Sequence, residues 1–219
     1  MTEIAKTMKF EIPDSLIRSE YKRKFSLSEL YRAYVYVPRA LFRLVGNRRT
    51  KLIDKHFVER LQLAVTEVNG CAACSYAHTI LALRQGMSNE EIGSFLNGDE
   101  AFVKTEEAKA IMFVQHFADQ KGYPEKEAYG VVIEEYGTKK AKIILAAAQV
   151  MLAGNMYGIP YSAYHARRKG QPYKDSTVGY ELGMQIGGAL IIPVAFVHAF
   201  FRWLVGRPNV QFVKESKSH

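Results

Sequence analysis

The chain of 219 residues contains two cysteines, Cys71 and Cys74, and a histidine, His78, follows four positions after the second. Asn69-Gly70 closes one helical pattern, so the next helix opens at Cys71 and carries both thiols at its start. Positions i and i+3 share a helix face, and the two sulfurs can approach each other. The unpaired N–H groups and positive potential of a helix N-terminus favour thiolate over thiol. A thiolate is the species that attacks a peroxide or a disulfide sulfur. His78 stands one turn beyond Cys74 on the same face, which gives a nucleophile with a neighbouring base. A disulfide closing so short a loop adds little stability, so in a chain that reads as cytosolic the pair is redox-active rather than a staple. A zinc site would need more ligands, and His56, His116 and His165 have no partner spacing for one. Covalent haem attachment would need histidine where Ser75 stands. No metal and no cofactor is expected.

The chemistry also wants a carboxylate. The turn at Asn69-Gly70 folds the preceding helix back beside the cysteine helix. At 1.5 Å per residue, Glu59 lies about 15 Å before the turn and His78 about 12 Å after it, so they stand at similar heights. Glu67 lies closer to the turn and competes with Glu59. Helical pitch does not choose between them.

Glu59, then eleven residues, then Cys71-x-x-Cys74-x-x-x-His78, resembles the signature of the alkylhydroperoxidase AhpD-like group of the carboxymuconolactone decarboxylase superfamily. The run VERLQLAVTEVNGC before the cysteines, and Gly86 with SNEEI after the histidine, extend the resemblance over about residues 45–100, with a compatible helical pattern to about 165. The resemblance implies a thiol-dependent peroxidase in which Cys74 attacks the peroxide, Cys71 resolves the sulfenic acid as a disulfide, and Glu59 with His78 relays protons. It thereby selects Glu59 over Glu67. It also implies an external dithiol reductant, a thiol- or lipoyl-bearing protein, and a symmetric homo-oligomer. Some members have a second histidine between the cysteines, where this chain has Ala73. Redox sensing or dithiol relay would use the same pair. The decarboxylase branch, which acts on lactones, works without it.

The elements around this site read as helices, and the expected fold is a single all-α domain over residues 1–219. A first helix over 26–46 is expected to break at Pro38, which lacks an amide donor. A second, over 50–68, places Leu52, Ile53, Phe57, Leu61, Ala64 and Val65 on one stripe. The cysteine helix ends at Gly86. Ser88 with Glu91 forms a capping-box pattern for a short helix to about Leu96. Thr105 is the expected cap of the next helix, which Gly122 and Pro124 stop. Two more patterns meet near Gly137, and YHARRKGQPYKDST reads as a polar surface turn. His56 reads as a helix-surface residue, His116 as a core histidine with its hydrogen bonds satisfied, and Arg167, Arg168 and Lys169 as a solvated helix end.

The net charge of +8 is uneven: residues 1–60 hold 14 Lys/Arg against 7 Asp/Glu, and residues 61–160 hold 8 against 12. The basic residues form no dense run and no nucleic-acid motif accompanies them, so a solvated surface is expected and no nucleic-acid partner. The first residues lack a continuous apolar run of the kind a secretory leader carries. The last feature is an apolar helix over about 179–205. Leu182 to Phe201 is uncharged and long enough to span a bilayer, and Gly179, Gly183 and Gly187 form a smooth stripe. Gln185, Pro193 and His198 inside this stretch favour burial at a subunit interface over a membrane span, in a cytoplasmic protein.

Overall fold

A computed structural model describes residues 16–213; the N-terminal stretch read for a leader lies outside them. Seven helices and no strand occur among the described residues: α1 (Leu27–Thr50), α2 (Lys55–Asn69), α3 (Ala72–Gln85), α4 (Asn89–Asn97), α5 (Ala108–Asp119), α6 (Lys126–Arg168) and α7 (Val178–Leu204). The long helix α6 is the axis. α1, α2, α3, α5 and α7 all pack against it. Its buried stripe runs from Ala141 through Leu145, Ala148 and Leu152 to Ile159 and Ala163.

Helix boundaries follow side chains that satisfy terminal backbone groups. Ser26 and Glu29 form a reciprocal capping box at α1. At α4 only half of the expected box is made: Ser88 accepts the Glu91 amide, while the Glu91 carboxylate accepts from Arg60 at 3.0 Å. Lys51 ends α1 in the left-handed region with φ 51°. The Asn47 side chain then holds both backbone groups of Ile53 at 2.8 and 3.0 Å. That corner displaces the expected start of α2. Leu52 and Ile53 lie in the turn, and Asp54 caps the helix by accepting from the His56 amide.

Three further expectations are corrected. α1 runs unbroken through Pro38, because Leu30, Tyr34, Val35 and Ala40 are buried on both sides of it and packing outweighs one lost hydrogen bond. α5 begins at Ala108 without a side-chain cap, and Thr105 stays in the preceding turn. The neighbouring Glu107 carboxylate is drawn inward, where it accepts two hydrogen bonds from Arg60. The segment YHARR belongs to α6, which ends at Arg168, so the surface turn starts only at Lys169. The break between the two patterns falls at Gly137, whose φ of 74° and ψ of 155° kink α6.

α7 is the exception in its exposure. Glu181, Met184, Gly188, Ala195 and Ala199 make one narrow buried stripe. Its polar residues turn toward the chain: Gln185 donates to the Tyr157 carbonyl at 2.8 Å, and His198 meets the Tyr31 hydroxyl at 3.0 Å. Arg167 is not solvated as expected. It forms a two-pronged pair with the fully buried carboxylate of Glu181 and ties α6 to α7. The opposite side of α7 is apolar and uncovered.

Candidate active site

The turn joining α2 to α3 is set by Gly70, with φ 71°, and it folds the two helices against each other. Asn69 and Asn155 extend the docking to α6: the Asn69 amide donates to Asn155 at 3.0 Å, and Asn155 donates to the Thr66 hydroxyl at 3.3 Å. All three are fully buried. These polar contacts fix the height of α3 on α6, and so the height of the cysteines.

Cys71 is the N-cap of α3, and its sulfur accepts the Cys74 amide at 3.2 Å. This places one of the helix's orphan donors on a sulfur, where it favours negative charge. Another donor of the first turn, the Ala73 amide, goes to the Ser162 hydroxyl at 3.0 Å, and Ser162 in turn donates to the Gly158 carbonyl. Ala73 is buried in the α3–α6 contact. The two cysteines are joined as a disulfide, with Cα atoms 5.2 Å apart. Cys71 has no exposed surface, whereas Cys74 is partly accessible and its sulfur lies 3.7 Å from the Gly154 carbonyl.

His78 and Glu59 meet across the hairpin, with Nδ1 2.5 Å from Oε1. Glu59 is only 2% exposed, so its carboxylate is held by the fold and oriented toward the imidazole. A carboxylate on one ring nitrogen fixes the tautomer and leaves the other nitrogen to serve the reacting group. Glu67, the competing residue, points elsewhere and pairs with Lys22. The four residues singled out from the sequence therefore form two pairs at the α2–α3 hairpin, Cys71 with Cys74 and His78 with Glu59. His56 is half-buried, and its Nε2 lies 2.8 Å from the Gln85 carbonyl, closing the open end of the same hairpin. His116 is half-buried and accepts the Glu125 amide. His165 is half-buried too, with Nε2 unpartnered among the described residues.

The seat of the disulfide on α6 was not anticipated from sequence. At Gly158 a Cβ atom would lie 2.7 Å from both sulfurs, a distance real contacts do not reach. Gly154, Gly158 and Ser162 recur every four residues, the same small-residue spacing noted in α7. That spacing was the available signal.

Residues 30–115 match the model of the carboxymuconolactone decarboxylase family. No curated protein and no solved structure matches the chain. The matched stretch contains Glu59, Cys71, Cys74 and His78, while the α6 seat lies beyond it. All-helical among the described residues, the chain is thus similar to the carboxymuconolactone decarboxylase family over the stretch that carries this signature.

Proposed function

We propose that the protein is a dithiol peroxidase of the AhpD-like kind. One observation carries the reading: of two bonded cysteines only Cys74 reaches the surface, one turn from a histidine that a buried carboxylate orients. In the reduced protein the Cys74 thiolate attacks one oxygen of a hydroperoxide, and the O–O bond breaks. Cys74 becomes a sulfenic acid, and the departing alkoxide takes a proton to leave as an alcohol. The Cys71 thiolate then attacks the Cys74 sulfur. An S–S bond forms, and hydroxide leaves as water on gaining a proton. His78 moves these protons and Glu59 holds it in place. A dithiol from outside, on a thiol- or lipoyl-bearing protein, transfers two electrons and two protons to restore both thiols.

Peroxide consumption with a panel of dithiol donors tests the reading. Cys71→Ser is expected to stop cycling and to leave a sulfenic acid on Cys74. Oxidation found instead on Cys71 of a Cys74→Ser protein, at the wild-type rate, reverses the roles. Glu59→Gln is expected to slow turnover by about 10²–10⁴-fold, the range for lost acid–base assistance, while Glu67→Gln stays near wild type. A single oxidation without cycling under any donor supports a sensor. Lactone turnover that survives loss of both cysteines supports the decarboxylase-type reading.

The outer face of α7 supports a homo-oligomer, which this reading places in the cytoplasm. Leu190, Val194, Val197, Phe201 and Leu204 are each more than half exposed and follow steps of three and four residues, the spacing of a helix–helix seam.

A further inference from the structure

The α3 face that carries Cys74 and His78 continues, at steps of three and four residues, through Leu81 and Gln85. Those two residues form one wall of a cleft of about 550 Å³, closed on its other sides by the end of α1 and the first turns of α2. Glu59 also lines it, so the cleft borders the Glu59–His78 pair. Leu44, Ile53 and Val58 give it an apolar floor.

Three cations line the same cleft: Arg48, Lys51 and Lys55. Among the described residues Arg48 and Lys51 have no carboxylate partner, and Lys55 reaches only the Gln85 carbonyl, at 3.5 Å. The facing carboxylates are engaged, Asp54 as the cap of α2 and Glu59 by His78. Cations at the end of α1 suit its dipole, but that does not account for the interior. Gln62 is only 8% exposed, lines the cleft, and makes no side-chain hydrogen bond among the described residues. The Gln62 amide, which has donors to offer, and the unpaired Arg48 and Lys51 therefore line one cleft, a set of donors suited to an anionic group.

We propose that this cleft holds the carboxylate end of a long-chain fatty-acid hydroperoxide. Arg48 and Lys51 face the anion, the apolar floor takes the chain, and the hydroperoxide reaches Cys74 along the α3 face. Leu81 and Gln85 lie seven and eleven residues beyond Cys74, about 10–17 Å at helical rise. A small alkyl peroxide cannot bridge that distance; a fatty acyl chain can. The products are the hydroxy fatty acid and water, by the steps given above, and this substrate class rests on the dithiol peroxidase reading.

Two measurements on the full chain separate the cleft from the chemistry. Dodecanoate, which is redox-inert, is titrated calorimetrically below its micelle concentration into the wild type and into Arg48→Gln/Lys51→Gln, whose substituted side chains are exposed and leave the core intact. Binding is expected in the wild type, weakened about tenfold or more in the variant, as losing charged hydrogen bonds implies. In parallel, kcat/KM for hydroperoxyoctadecadienoic acid relative to tert-butyl hydroperoxide is expected to fall by a similar factor in the variant. No dodecanoate binding, or binding indifferent to the substitutions, overturns the proposal, as does an unchanged ratio. Carboxylate binding that depends on Arg48 and Lys51, without turnover of any peroxide, leaves the site standing and removes the peroxidase reading instead.

Discussion

α6 and α7 are both long and apolar enough to cross a membrane by length and composition, yet their fates in the fold are opposite. In the most apolar stretch of α6, 78% of the residues are buried by the chain itself; in that of α7 the figure is 22%. Both contain a proline, and both carry small residues every four positions. In α6 that stripe presses against α3: Gly158 touches both sulfurs, and Ser162 takes an amide of the cysteine helix. In α7 Gly183 meets nothing, and of the stripe noted from sequence only Gly187 is used within the chain, against Leu27. A small-residue repeat thus marks a place where another helix can come close. What comes close is decided by the topology, and a one-dimensional pattern does not contain that.

The largest difference between the two helices is expected under an added charge. Ala147 has no exposed surface, and Ala147→Asp would bury an unpaired carboxylate, costing about 3–5 kcal/mol or more. Against a typical total of about 5–15 kcal/mol this should leave little folded protein by circular dichroism. Val194→Glu, on the outer face of α7, should keep helix content and melting temperature while reducing the mass measured by light scattering. A Val194→Glu protein that unfolds like Ala147→Asp would show that α7 is covered by its own chain. A wild-type protein that floats with liposomes would give the covering to lipid and remove the subunit contact.

A smaller effect tests the seat on α6. The reduced pair can turn the Cys74 sulfur toward solvent, but the disulfide keeps both sulfurs against Gly158. Gly158→Ala should therefore penalise the oxidised form. If the overpacking costs about 1–3 kcal/mol, the potential rises by about 20–65 mV. Equilibration in glutathione redox buffers, read by thiol alkylation, measures the shift. Gly154→Ala is the internal comparison, because a Cβ there meets nothing. Equal shifts in both variants would mean that the change acts through helix stability and not through contact with the sulfurs.

What the sequence made legible divides along the same line. The α2–α3 hairpin could be read because its information is local: Asn69-Gly70 makes the turn, the periodicity orients the faces, and the spacing from Glu59 to His78 sets two heights. Pitch alone left Glu59 and Glu67 open, and the family resemblance favoured Glu59; in the structure Glu67 turns away to Lys22, across 45 residues of sequence. The continuity of α1 through Pro38, the pairing of Arg167 with Glu181, and the seat at Gly158 all depend on contacts far apart in the chain. Local propensity is silent on these, and at Pro38 it pointed the wrong way. The α6 stripe was as visible as that of α7, but nothing in the sequence says that Gly158 and the cysteines, more than 80 residues apart, are neighbours.

The smallest expected effect has two parts of opposite sign, and so gives the sharpest test of α7. Glycine inside a helix costs about 0.5–1 kcal/mol relative to alanine through lost backbone entropy. No atom lies within 4 Å of a Cβ added at Gly183. On the isolated chain Gly183→Ala is therefore stabilising, and at this length the melting temperature should rise by about 1–4 °C. Gly183 lies on the side of α7 that also presents Leu190 and Phe201, at helical steps of seven and eighteen residues. A helix from a second copy packed closely on that side would meet the new methyl, and the assembly would weaken even as the protomer gained stability. Dilution series by sedimentation, paired with melting curves at low concentration, separate the two. The expected result is a higher melting temperature at the lowest concentration together with a dissociation constant raised about fivefold, the factor for about 1 kcal/mol. A melting temperature that rises while the dissociation constant stays put would move the subunit contact along the helix, away from the glycines and onto the larger side chains between Leu190 and Leu204. A melting temperature that falls would mean that Gly183 is already covered within the chain, and the contrast with α6 would disappear at that position.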